Sequence, residues 1–107
     1  SVDSAVPRGL YRIEAEVRNS LQALRSAEAR LASATAARTA SEELYASEQR
    51  QFRSGTTTFY LVLQRQTDLL GARGRELQAQ TDLNKAISEF QRAIGNTLSV
   101  NNVTVSK

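Results

Sequence analysis

The sequence has no cysteine, no histidine, no methionine and no tryptophan, and only one proline. Each absence removes a class of chemistry. Without cysteine there is neither a disulfide staple nor a thiolate zinc site. Without histidine there is no imidazole metal ligation and no histidine acid–base catalysis, and a Ser-His-Asp or Cys-His constellation cannot be assembled. There is no apolar run of roughly 18 residues, so no transmembrane helix is expected. Neither a starting methionine nor a signal-peptide pattern is present, and the chain reads as a mature tail or an excised piece of a longer protein. The net charge is only +3, from 14 basic and 11 acidic residues interleaved along 107 positions. With no block of like charge, a nucleic-acid surface is not expected. The length suits one small domain.

What the chain does have is helix. Between Leu10 and Ser54 there is no glycine or proline, and Ala, Glu, Arg, Leu and Gln dominate. Leu10, Val17, Leu24, Leu31, Arg38, Tyr45 and Phe52 recur every seven residues, and all but Arg38 are apolar. Ile13, Ala27 and Ala34 fill a companion column, as a coiled-coil seam requires. Pro7 suits a first helical turn, with Asp3 or Ser4 as the cap. A further column on the same helix is small or short and polar: Asn19, Ser26, Ser33, Ala40, Ser47 and Ser54.

The pattern breaks at Arg53-Ser54-Gly55-Thr56-Thr57-Thr58. Gly55 can take a positive φ at no steric cost, and a threonine can cap the second helix. Beyond it Val62, Leu69, Glu76, Leu83 and Phe90 form one column, Leu63, Leu70 and Leu77 another, and Ala72, Ala79, Ala86 and Ala93 a second small-residue stripe. Gly71 and Gly74 either bend this helix or are simply tolerated, and Gly95-Asn96 closes it.

The fold expected is therefore all-α: a long antiparallel two-helix coiled-coil hairpin, with helix 1 over about 8–53, a tip at 54–57 and helix 2 over about 57–95. The hairpin occupies 1–98, and 99–107 is a loose C-terminal tail. Pairing places Phe52 near Phe59, Tyr45 near Arg65 and Leu31 near Ala79. A two-helix hairpin buries one stripe per helix. The small stripes (Ser26, Ser33, Ala40 and Ser47; Ala72, Ala79, Ala86 and Ala93) are then left for other neighbours, which makes the hairpin a piece of a larger α-helical barrel. No catalytic constellation emerges. Glu42 and Glu43 diverge by about 100° on a helix, and Asp68, Glu76, Asp82 and Glu89 read as isolated and solvated. The chain is expected to be no enzyme and to hold no cofactor or metal.

The stretch from Gln51 to Arg73 resembles the TolC-like outer membrane efflux protein family. Phe52, Arg53, Gly55, Val62, Leu63, Ala72, Arg73, Phe90, Ala93, Ile94 and Gly95 stand where that pattern has an aromatic, a basic residue, a glycine and the succeeding helix. The resemblance spans about residues 10–98. It implies the second periplasmic hairpin of a homotrimeric outer-membrane duct in a Gram-negative bacterium. Its tip, Arg53, Ser54, Gly55 and Thr56, would dock a periplasmic adaptor and, through it, an inner-membrane pump that exports small molecules. Leu61 and Gln64 would face the duct entrance, where the best-known members carry aspartates, and Thr57 stands where they carry an arginine. The isolated segment is expected to self-associate. The competing reading is a structural or adaptor coiled-coil hairpin of a periplasmic protein with no channel role.

Overall fold

The computed structural model describes the backbone of residues 2–105 and the side chains of residues 8–99. Two helices account for nearly all of it: α1, Val2–Arg53, and α2, Phe59–Val105. There is no strand among the described residues, and the chain is an all-α helical hairpin. Neither helix is long and apolar enough to cross a membrane.

Both helices outrun the expectation. α1 begins at Val2, so Pro7 lies inside it rather than in its first turn. Proline has no N–H to give the Asp3 carbonyl, so the helix start is joined by one hydrogen bond fewer. The side chains of Asp3 and Ser4, expected as caps, lie outside the described residues. Gly95-Asn96 does not close α2, and the segment expected as a loose tail from 99 is helical to Val105. The reason is local. Gly55 is the only described residue with a positive φ, so Gly95 stays in ordinary helical geometry and supplies no left-handed stop. The last two residues of the expected tail, 106 and 107, lie outside the described residues. Gly71 and Gly74 do not interrupt α2 either.

The contacts group into two units. The turn half comprises residues 29–81 and the open half residues 1–28 and 82–107. Within the turn half the helices run antiparallel, because Arg38 meets Glu76 while Glu48 meets Arg65. Its seam is built on Val62, Leu69, Ala72 and Ala79, all buried, against Leu31, Ala34, Arg38, Ser41, Tyr45 and Glu48 of α1. In the open half Ala86 and Ala93 are buried beside the half-buried Leu83, Phe90 and Thr97, and Ala27 is buried with Val17, Ser20 and Leu24 around it half-buried. Thr97 closes a shallow groove with Leu10, Ile13 and Val17.

This corrects the role of one small-residue stripe. Ala72, Ala79, Ala86 and Ala93 are not left for a further neighbour. They are the seam, with exposures of 1%, 8%, 6% and 7%. Small side chains on a seam let two helix backbones approach closely, within an interaxial range of about 8–10 Å. The column left outside is the leucine one: Leu63, Leu70 and Leu77 remain 44%, 59% and 69% exposed. On the α1 stripe, Ser26, Ser33 and Ala40 are exposed and Ser47 is partly covered.

Candidate docking tip and its supporting ion pairs

The tip is a built structure. At the end of α1 the Thr56 N–H donates to the Gln51 carbonyl (2.9 Å) and the Gly55 N–H to the Phe52 carbonyl (3.1 Å). With Gly55 at φ 80°, this is the Schellman arrangement that ends a helix through a left-handed residue. The hydroxyls of Ser54 and Thr56 also donate to the Gln51 carbonyl, at 3.0 and 3.1 Å. Thr58 starts α2, its Oγ1 accepting from the Leu61 N–H at 3.3 Å. The rings of Phe52 and Phe59 face each other across the turn, centroids 5.7 Å apart and planes tilted 47°. That is the pairing expected from the sequence.

Arg53, Ser54, Gly55 and Thr56 are all exposed. Leu61 and Gln64, three residues apart and so on one face of α2, are exposed as well. The Gln64 amide donates to Asp68 Oδ1 at 3.3 Å. Phe59 and Tyr60 add exposed aromatic surface, Tyr60 at 71%.

Beneath the tip lies a residue that sequence reasoning passed over. Glu48 is the one buried charged or polar residue among those described, 7% exposed. Its carboxylate accepts from Arg65 Nε at 3.2 Å and lies beside the Thr57 hydroxyl. The Thr57 hydroxyl, and then Arg65, hold this carboxyl below its ordinary value, against the opposing effect of burial. The signal lies in the repeat. Extending the Ile13–Ala27–Ala34 column by sevens reaches Ser41 and Glu48, and extending the alanine stripe back by seven reaches Arg65. Arg65 pairs with Glu48, one turn of α1 from the expected Tyr45.

Further along the turn half, the two charged residues that interrupt the apolar columns meet each other. Arg38 is bidentate on Glu76, with Nε to Oε1 at 3.0 Å and Nη2 to Oε2 at 3.2 Å. Its Nη1 donates to Glu42 Oε2 at 3.1 Å, and the other Glu42 oxygen lies 3.8 Å from Arg73 Nη2. Arg38 first, and the nearby Thr35 hydroxyl second, keep the Glu76 carboxyl below its ordinary value. Glu76 is therefore not the isolated, solvated carboxylate the sequence suggests.

Every buried side-chain polar atom among the described residues has a partner. No group of three or more acidic residues among them could hold a metal ion. Comparison with protein-family models, with curated proteins and with solved structures finds no match.

Proposed function

We propose that the chain is a wall element of a TolC-like outer-membrane duct, with the turn at Gly55 as the end that docks a periplasmic adaptor. The observation that carries this reading is the second apolar column. Once α2 has filled its seam with Val62, Leu69, Ala72 and Ala79, it still presents Leu63, Leu70 and Leu77 every seven residues. A hairpin complete in itself has no use for a second stripe, and an apolar face of this kind marks a further partner. In a ring of helices each helix touches a neighbour on either side. The leucine column of α2 and the exposed Ser33–Ala40 stripe of α1 suit those two contacts, a row of large side chains against a row of small ones. The ordered glycine turn with its aromatic pair supports the docking role, and the Phe52-Arg53-Ser54-Gly55 pattern supports the family. In this reading the duct is a homotrimer, the partners are the adaptor and an inner-membrane pump, and the chain's site is the periplasmic side of the outer membrane. No chemistry is performed on the cargo.

The test uses the full-length parent protein in cells, with efflux and the folded outer-membrane trimer both measured. Gly55→Glu adds bulk and charge at a positive φ on an exposed turn, and is expected to lose efflux while trimer persists. Ala40→Glu is expected to lose the trimer, because it places a charge in the second contact. If Gly55→Glu keeps both trimer and efflux, docking lies elsewhere. If Ala40→Glu leaves the trimer intact, the ring is the wrong assembly. Leu70→Glu in the isolated chain should abolish self-association in sedimentation, and a wild-type chain that stays monomeric at high concentration argues against a second contact.

A further inference from the structure

We propose that Glu48 is a positioning residue for the tip: a buried carboxylate that ties α1, the turn and α2 together and so fixes the shape the turn presents. Three elements converge on it. Glu48 stands on α1, less than two helical turns before Arg53. The Thr57 hydroxyl, in the turn, sits beside the carboxylate and helps hold it charged, and Thr57 is the only residue of 54–58 that is partly covered. Arg65, in the second turn of α2, donates its Nε at 3.2 Å.

The rest of the turn is held differently. Its hydrogen bonds are local: Thr56 and Ser54 on Gln51, Gly55 on Phe52, Leu61 on Thr58, and the Ser54 and Thr56 hydroxyls on each other. Such bonds cap each helix but do not set the angle between the helix ends and the loop. Among the described residues, Phe52–Phe59 and Glu48–Arg65 are the contacts shown nearest the turn that join α1 to α2. The ring pair is exposed and non-directional, whereas the buried carboxylate accepts from Arg65 Nε with the Thr57 hydroxyl beside it. Charge-assisted hydrogen bonds there are the directional ones. Arg65 also neutralises Glu48, so Arg50 and Arg53, exposed above it, have no acidic partner among the described residues and remain available at the surface. The functional meaning of a fixed tip rests on the docking role proposed above. The clamp itself does not, and it is tested in the chain alone.

The experiment is amide hydrogen exchange on the 107-residue chain at neutral pH, comparing the wild type with Glu48→Gln and Thr57→Val. Glu48→Gln keeps the volume but removes the charge that Arg65 and Thr57 face. Exchange at Gly55, Thr56 and Leu61 is expected to rise roughly tenfold, the loss of a charge-assisted bond, while amides around Glu76 and Ala79 keep their wild-type rates. Thr57→Val removes only the arm to the turn and leaves the ion pair with Arg65. It is expected to loosen Gly55 and Thr56 without changing α2 beyond Arg65. A uniform rise along the whole chain in Glu48→Gln would make Glu48 an ordinary seam residue and overturn the proposal. Unchanged turn amides in Thr57→Val would overturn it too, because the tie to the turn would carry nothing. Neither outcome bears on whether an adaptor docks there, which Gly55→Glu decides separately.

Discussion

The two halves of the hairpin are built on the same seven-residue repeat and held by different forces. In the open half the seam columns carry no charge: Leu10, Val17 and Leu24 with Ile13, Ser20 and Ala27 on α1, and Leu83, Phe90 and Thr97 with Ala86 and Ala93 on α2. In the turn half the same columns carry Arg38, Glu48, Arg65 and Glu76, which pair across the helices as Arg38–Glu76 and Glu48–Arg65. Apolar burial is strong but non-directional. It drives two helices together without choosing which residue faces which. Pairs of opposite charge do choose, because a seven-residue slip would put Arg38 opposite a leucine of the Leu69–Leu83 column and leave Glu76 without a cation. Buried charges are weak sources of stability and are best attested as register devices. The comparison thus separates adhesion, common to both halves, from register, specified near the turn.

The largest effect is expected from breaking adhesion. Ala86→Glu puts an unpaired carboxylate into the open half's close-packed seam, at a cost of at least about 2 kcal/mol. Segment-resolved hydrogen exchange should show protection lost over residues 82–99 and 8–28, with the turn half still protected. Ala79→Glu does the same beside Glu76 and should open residues around Thr35 and Arg38 instead. If either variant opens both halves equally, the halves are not separable units and the comparison fails.

Register is the next to break. Arg38→Leu strands the Glu76 carboxylate in a half-buried seam and should lower the melting temperature by several degrees. The double variant Arg38→Leu, Glu76→Leu restores an unbroken apolar column, so its melting temperature should recover to the wild-type value or above it. Its register should be less uniquely defined, seen as broadened spin-label distances between positions 36 and 78. A double variant as destabilised as the single one would show that the pair contributes adhesion after all.

Acid should act on the turn half first. Glu48 and Glu76 are both more acidic folded than their ordinary value of 4.5, through Thr57 and Arg65 for the one and Arg38 and Thr35 for the other. Near and below that value the unfolded chain binds more protons than the folded chain. The stability these groups contribute is full above about pH 4.5 and is lost as pH falls through the folded values. Thermal melts from pH 7 to pH 3 should show that loss in wild type and a shallower one in Glu76→Gln. Equal slopes would mean Glu76 titrates as it does in the unfolded chain.

How much of this is legible in the sequence depends on geometry. The helices, the turn at Gly55 and the Phe52–Phe59 pair come from the Gly/Pro-free run and the repeat. The identity of the α2 seam does not come from bulk. A seam needs two columns spaced alternately three and four residues apart. Val62, Arg65, Leu69 and Ala72 meet that spacing, whereas Val62 and Leu63 are adjacent and cannot share the seam. Weighing leucine over alanine therefore assigns the wrong column to the interior. The charged exceptions, Arg38 and Glu76, are each alone on their own helix, and Glu76 therefore reads as solvated. Their partnership exists only once the turn has set the register. Helix ends are obscure for a different reason: Gly95 permits a stop without requiring one, and Pro7 obstructs a helix without forbidding it near an end.

The smallest expected effect compares the halves by their spare glycines. Gly74 in the turn half and Gly95 in the open half both sit in unbroken helix at ordinary φ, and a Cβ added at either meets nothing within 4 Å. Replacement by alanine should stabilise each by roughly 0.5–1 kcal/mol, chiefly by restricting the unfolded chain. Gly55→Ala should do the reverse, because its φ of 80° strains any residue with a Cβ despite the open space around it. The sharper expectation concerns where the gain appears. Gly74→Ala should slow exchange in residues 59–81, and Gly95→Ala in residues 82–99. Should Gly95→Ala raise protection at the tip as strongly as near Ala93, the open half would be adding to the register that the charged pairs otherwise supply, and the division of labour between the halves would have to be redrawn.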